Sequence, residues 1–169
     1  MKTKFWHKWP PALVLITEKG MRDPVTDLHG VVWHTAGQAR GAVVRIRPAY
    51  AGDDGILMHE LSHVRTFWWA LLATVALALV VSGVCLVVLG PGFYLMLPWL
   101  ACLAAMLLVQ KLKPYKLWNE ALAYAVQLKH TKGDGQPTEL LDLAHRLAGP
   151  IYDFDLTVTE AQREILKYV

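Results

Sequence analysis

The chain has 169 residues, enough for one domain with an appended membrane element. Hydrophobic residues make up 54% and charged residues 18%, and the mean hydropathy is +0.31, which argues against an ordinary soluble domain. The net charge of +3 is spread over scattered basic residues, so the dense basic stripe of a nucleic-acid binder is missing and no nucleic-acid partner is expected.

The N-terminus, "MKTKFWHKWPPALVLITEKG", is basic but offers only about six apolar residues, Ala12 to Thr17, before Glu18. That is too short for a secretory signal, and the segment reads as mature sequence. Residues 1 to about 54 then mix β-rich runs ("ALVLIT", "GVVWHT", "GAVVRIRP") with Gly, Pro and Asp, which predicts two or three short strands in a small sheet. The run around "AVVRIRP" is the candidate edge for an extended peptide. Helical propensity takes over at "DDGILMHELSHV", with Asp53 or Asp54 as N-cap.

No charged residue lies between Arg65 and Lys111. A membrane-spanning helix needs roughly 20 apolar residues, so this interval has room for two. Gly90–Pro91–Gly92 divides it where a hairpin must turn, and Pro98 is expected to kink the second span. Phe67, Trp68 and Trp69 mark one end of the interval, and Tyr115 and Trp118 the other, as interfacial aromatics do. Cys85 and Cys102 fall inside it and read as small buried hydrophobes. Nine Lys and Arg precede the interval and eight follow it, with none in the turn. The positive-inside rule therefore predicts a multi-pass protein with both termini cytoplasmic. The lipid bilayer is its expected partner.

Three amphipathic helices are predicted beyond Lys111. "KLWNEALAYAVQLKH" ends before the "TKGDGQP" loop, "TELLDLAHRLAG" follows with Thr138 as cap, and "TVTEAQREILKY" is last, with Thr157 and Glu160 at capping-box spacing. The fold class is thus α+β and mainly helical. Residues 1–66 carry a small N-terminal β-sheet and the motif helix, 67–110 a transmembrane helical hairpin, and 111–169 a helical part that completes the metal site.

The chemistry is concentrated in "HELSH". On a helix, positions i and i+4 share a face, so His59 and His63 can turn imidazole nitrogens to one metal ion. Glu60 lies beside the first ligand, where it can hold and deprotonate an attacking water. With seven His and six Glu in the chain, a random H-E-x-x-H has a chance of about 1%. Catalytic zinc takes three protein ligands and keeps one position open. The extended form of the motif is absent, because Thr66 and Trp69 stand where Gly and His would be. The third ligand is therefore sought among Glu120, His130, Asp134, Glu139 and His145. Glu120 is preferred, because an antiparallel pair of spans returns the chain to the membrane face it left, close to His63. His130 is the fallback. His29 and His34 flank a β-rich run and read as structural or surface residues. Tyr115, Tyr124 and Tyr152 are candidate donors to an oxyanion, with packing as the simpler role. Arg65 is expected to meet a lipid phosphate or a helix-end carbonyl.

"HELSHV", two apolar spans and then "NEALAYA" resemble the gluzincin class of zinc metallopeptidases, in which HExxH is completed by a Glu on a later helix. The membrane-embedded Ste24/HtpX-type and BlaR1/MecR1-type proteases are similar, as are short HExxH proteins of phage and bacterial genomes. The resemblance covers roughly residues 53 to 127 and is sharp only at HExxH. It implies that His59, His63 and Glu120 bind Zn2+ and that Glu60 is the general base. Many relatives carry an Asp four residues after the ligand Glu to support a zinc-bound His. Here that position is Tyr124. The expected function is a membrane-anchored zinc metallopeptidase, placed at a bacterial inner membrane or its equivalent. It would cut a peptide or membrane-protein substrate near the cytoplasmic face. The alternative is a non-enzymatic membrane scaffold, or a phage-associated membrane protein, with a structural metal.

Overall fold

Short strands and one very long helix set the plan of the computed structural model, which describes residues 2–6, 10–26, 32–131 and 137–169. Strands β1 (Lys2–Trp6), β2 (Ala12–Ile16), β5 (Gly37–Arg40) and β6 (Val43–Ile46) form a mixed sheet in the order β1-β2-β6-β5. Strands β3 (Val25–Thr26) and β4 (Val32–Trp33) pair separately. β2 and β6 run parallel in the register Leu13 to Val43 through Ile16 to Ile46, and the two outer pairs are antiparallel. Alternation along β2 and β6 turns Ala12, Val14, Val44 and Ile46 to one face, where Leu61 and Val64 of the first helix cover them.

The expected edge strand requires correction. β6, the "VVRI" run, lies inside the sheet between β2 and β5, and the free edge on this side belongs to β5. "GQAR" has no run of β-branched residues, so its own composition gives little sign of a strand. Pairing with β6 imposes it (Gly37 to Ile46 through Arg40 to Val43).

Helix α1 (Asp54–Leu89) has 36 residues and is about 54 Å long. Asp53 caps it, its side chain accepting from the Ile56 amide at 3.0 Å. The first turns pack on the sheet; the remainder is apolar and mostly exposed outside its contact with α2, as at Leu72, Leu77, Val80 and Val87. Only 6% of its most apolar stretch is buried, and α1 is long and apolar enough to cross a membrane.

The second expected span differs from the prediction. A 3-10 turn (Phe93–Met96) leads into α2 (Leu97–Val109), only 13 residues or about 20 Å, and α3 (Lys113–His130) then leaves at a bend of 69°. Proline sets both limits. Pro98 sits in the first turn of α2, where its missing N–H costs nothing, so it starts the helix and does not kink it. Pro114, in the first turn of α3, has no N–H to bond the Gln110 carbonyl, so the ladder of α2 cannot continue through it. Gly90 takes φ +81 as α1 ends, and the chain reverses so that α2 lies along α1, with Ser82 Oγ donating to the Leu95 carbonyl at 3.3 Å. Cys85 and Cys102 are half-buried rather than buried.

A second core holds the C-terminal part together. Ala121, Tyr124 and Ala125 of α3 meet Leu143, Ala144 and Leu147 of α4 (Pro137–Leu147) and Ala161 and Ile165 of α5 (Val158–Leu166). The Thr157–Glu160 capping box forms as expected. Thr138 is not the cap of α4, because Pro137 already occupies the helix and places Thr138 inside its first turn. Of the predicted loop, residues 132–136 lie outside the described residues.

Candidate metal centre

The first turns of α1 lie between the two cores and cross α3. His59 and His63 leave the same face of α1, and Glu120 comes from the second turn of α3 opposite them. His59 Nε2 and His63 Nε2 are 3.2 Å apart, and Glu120 Oε2 lies 3.6 Å from the first and 3.4 Å from the second. Three donor atoms thus form a nearly equilateral triangle. Zinc bonds of about 2.0–2.1 Å in a tetrahedron require edges of about 3.3 Å. The side chains therefore already stand at metal-ligand spacing, and Glu120 Oε2 is buried without a hydrogen-bond partner.

Electrostatics point the same way. Burial works against a charged His63, but the Glu120 carboxylate beside it pushes its pKa up to about 9. Burial likewise works against an ionised Glu120, and it is overridden by His63 and His59 beside it, which hold the carboxyl well below the usual range. In the metal-free protein a proton thus takes the place of the cation. Because the folded pKa of His63 lies above its ordinary value of 6.5, this ion pair stabilises the fold fully below pH 6.5 and is lost as pH rises through about 9. A metal ion must displace that proton. Zinc uptake at pH 7 should therefore release about one proton per chain, and apparent affinity should rise about tenfold per pH unit until near pH 9. Calorimetry in buffers of different ionisation enthalpy measures the proton. No release would show that His63 is already neutral.

Glu60 does not join the triangle. It is buried beside His59, and burial raises its carboxyl pKa. A Cβ on Gly37 would lie 2.5 Å from Glu60 Oε1, so only glycine lets β5 pass this close, and the Ala39 backbone hydrogen-bonds to Glu60. The free edge of β5 therefore borders the metal centre. A cleft of about 270 Å3 opens there, lined by Gln38 and Ala39 on one side and Gln110, Tyr115, Asn119 and Tyr152 on the other.

The other candidates fall away from the centre. His130 is exposed and bonds the Val126 carbonyl, His145 is exposed, and Glu139 lies outside the cluster. Asp134 and His29 lie outside the described residues. His34 reaches only a small side cavity next to His59. Arg65 is exposed near the start of the uncharged run.

Tyr124 does not replace an Asp as hydrogen-bond support. Its ring meets His59 edge-on at 4.6 Å, and its hydroxyl pairs with Tyr152 at 3.1 Å. The Nδ1 atoms of His59 and His63 have no hydrogen-bond partner among the described residues. Sequence reasoning also missed the α1–α3 tie, in which the Thr66 hydroxyl lies 2.8 Å from Asn119 Oδ1 and 2.9 Å from the His63 carbonyl. It ties the turn that carries His63 to the helix that carries Glu120. No family model matches the chain, and no curated protein or solved structure matches it.

Proposed function

We propose that this chain is a zinc-dependent metallopeptidase of the gluzincin kind, anchored in a membrane and hydrolysing peptide bonds near its cytoplasmic face. The observation that carries the reading is the triangle of His59 Nε2, His63 Nε2 and Glu120 Oε2, sized for tetrahedral zinc and open on one side to a cleft. Among the described residues no fourth His, Cys, Asp or Glu joins the group. A structural zinc site is closed by four protein ligands, so three ligands beside a cleft favour catalysis over a scaffold.

When bound, zinc supplies Lewis-acid polarisation of a carbonyl and acidifies water. The chain's own groups do the rest. Glu60, with its pKa raised by burial, takes the proton of the attacking water and passes it to the leaving amine. The β5 edge offers main-chain groups to an extended substrate running past Glu60. Of the three candidate tyrosines, Tyr115 and Tyr152 line the cleft, so donation to the oxyanion falls to one of these.

Anchoring rests on α1, whose uncharged part is mostly exposed and long enough to cross a bilayer. α2 returns beside it, and the distribution of Lys and Arg favours cytoplasmic termini. A reporter inserted at Gly90–Gly92 should be extracytoplasmic, and cytoplasmic activity of that fusion would overturn the orientation. Protein purified in detergent should contain one zinc per chain by elemental analysis. Folded protein that neither carries zinc nor takes it up would sink the peptidase reading.

A further inference from the structure

On the far side of the α1–α3 crossing from the metal centre lies a second, larger cavity of about 620 Å3. Met58, Leu61, Trp69 and Ala70 of α1 form one wall, and Trp118 and Leu122 of α3 form much of the other. Among the described residues Arg65 is the only charged side chain on its lining. It is exposed at the rim, and among the described residues it has no hydrogen-bond or ion-pair partner.

We infer that this groove is a phospholipid site, with an acyl chain along the α1–α3 groove and the lipid phosphate on Arg65. Three features select that occupant. First, the walls are mainly two helices whose backbone groups are already bonded, so an extended peptide would find only scattered side-chain groups, among them the Tyr115 hydroxyl and the Trp69 and Trp118 indoles, for its own N–H and C=O groups. Second, the length suits a lipid tail. From Met58 to Ala70 the groove is about 18 Å long, and one bilayer leaflet is about 15 Å deep. Third, the charge is complementary. A guanidinium binds phosphate with paired N–H donors, and Trp69 and Trp118 beside it suit the headgroup level. The groove also runs on into bilayer-type surface, since Ala70 and Tyr115 line the apolar cleft between α1 and α2 as well.

The site rests on membrane anchoring and not on peptidase activity. It adjoins the cleft of the metal centre through Thr66, which meets Asn119, and through Tyr115, both of which line the two cavities.

The test uses the full chain in detergent, stripped of lipid and titrated with phosphatidylglycerol under native mass spectrometry. Wild type should retain one lipid per chain. Arg65→Gln should need about fivefold more lipid, the worth of one interfacial cation. Leu122→Trp, which fills the groove, should retain none while keeping its helical circular dichroism. If that variant loses helicity, Val126→Trp plugs the other end. Equal retention by Arg65→Gln and wild type would overturn the proposal, as would lipid retained by a folded, plugged variant. A lipid-free dimer that the plug converts to monomer would also overturn it, assigning the groove to a second copy of this chain.

Discussion

Glu60→Gln should keep its zinc and lose turnover by about 10²- to 10⁴-fold, the usual contribution of a positioned general base. The amide has the size of the carboxylate but accepts no proton. Glu60 stands outside the ligand triangle, so metal content should stay at the wild-type level. The fold should not suffer. Burial raises the pKa of Glu60, which means that its charged form is disfavoured in the folded protein, and neutral Gln removes that burden. The measurement pairs elemental zinc analysis with hydrolysis of a fluorescent casein substrate in detergent. Undiminished hydrolysis would remove Glu60 from the reaction. Loss of zinc would make it a ligand. An inert metal-stabilised scaffold would show no change in any property.

Glu120→Ala addresses the site itself and should abolish stoichiometric zinc. Changes to groups that merely support ligands cost 10- to 100-fold in metal affinity, and removal of one of three ligands should cost more than about 100-fold. The variant also leaves His63 without the carboxylate that raises its pKa, so that pKa should fall from about 9. Two readouts follow: competition for zinc against a chromogenic chelator, and His63 titration by NMR in the metal-free protein. Wild-type zinc affinity in Glu120→Ala would show that the third ligand lies elsewhere. His130→Ala is the matched control. It should bind zinc as wild type does, because His130 is exposed and turned to the Val126 carbonyl.

Features set by short stretches of chain are legible in the sequence. His59 and His63 share a face because four residues make about one turn, wherever that helix lies. Asp53 at the start of α1, the Thr157–Glu160 box and the reversal at Gly90–Gly92 are likewise local events. Local pattern misleads where neighbours decide. Thr138 has the chemistry of a cap, but Pro137 starts the helix first. Pro98 has the position of a kink within a long span, but prolines at both ends confine α2 to 13 residues. "AVVRIRP" has the composition of a strand, which identifies β6 but not its place, and the edge goes to the less strand-like "GQAR".

By itself, then, the sequence determined the histidine pair with its neighbouring Glu60 and the long uncharged run of α1. Helix periodicity and hydropathy act over a few turns, and distant contacts cannot alter them. Only the tertiary structure decided which carboxylate meets those histidines, which strand borders them, and that Gly37 makes room for Glu60. Those outcomes depend on how α1 crosses α3 and in what register β5 pairs with β6. Packing of two separate cores fixes both, and no single stretch of chain encodes that packing.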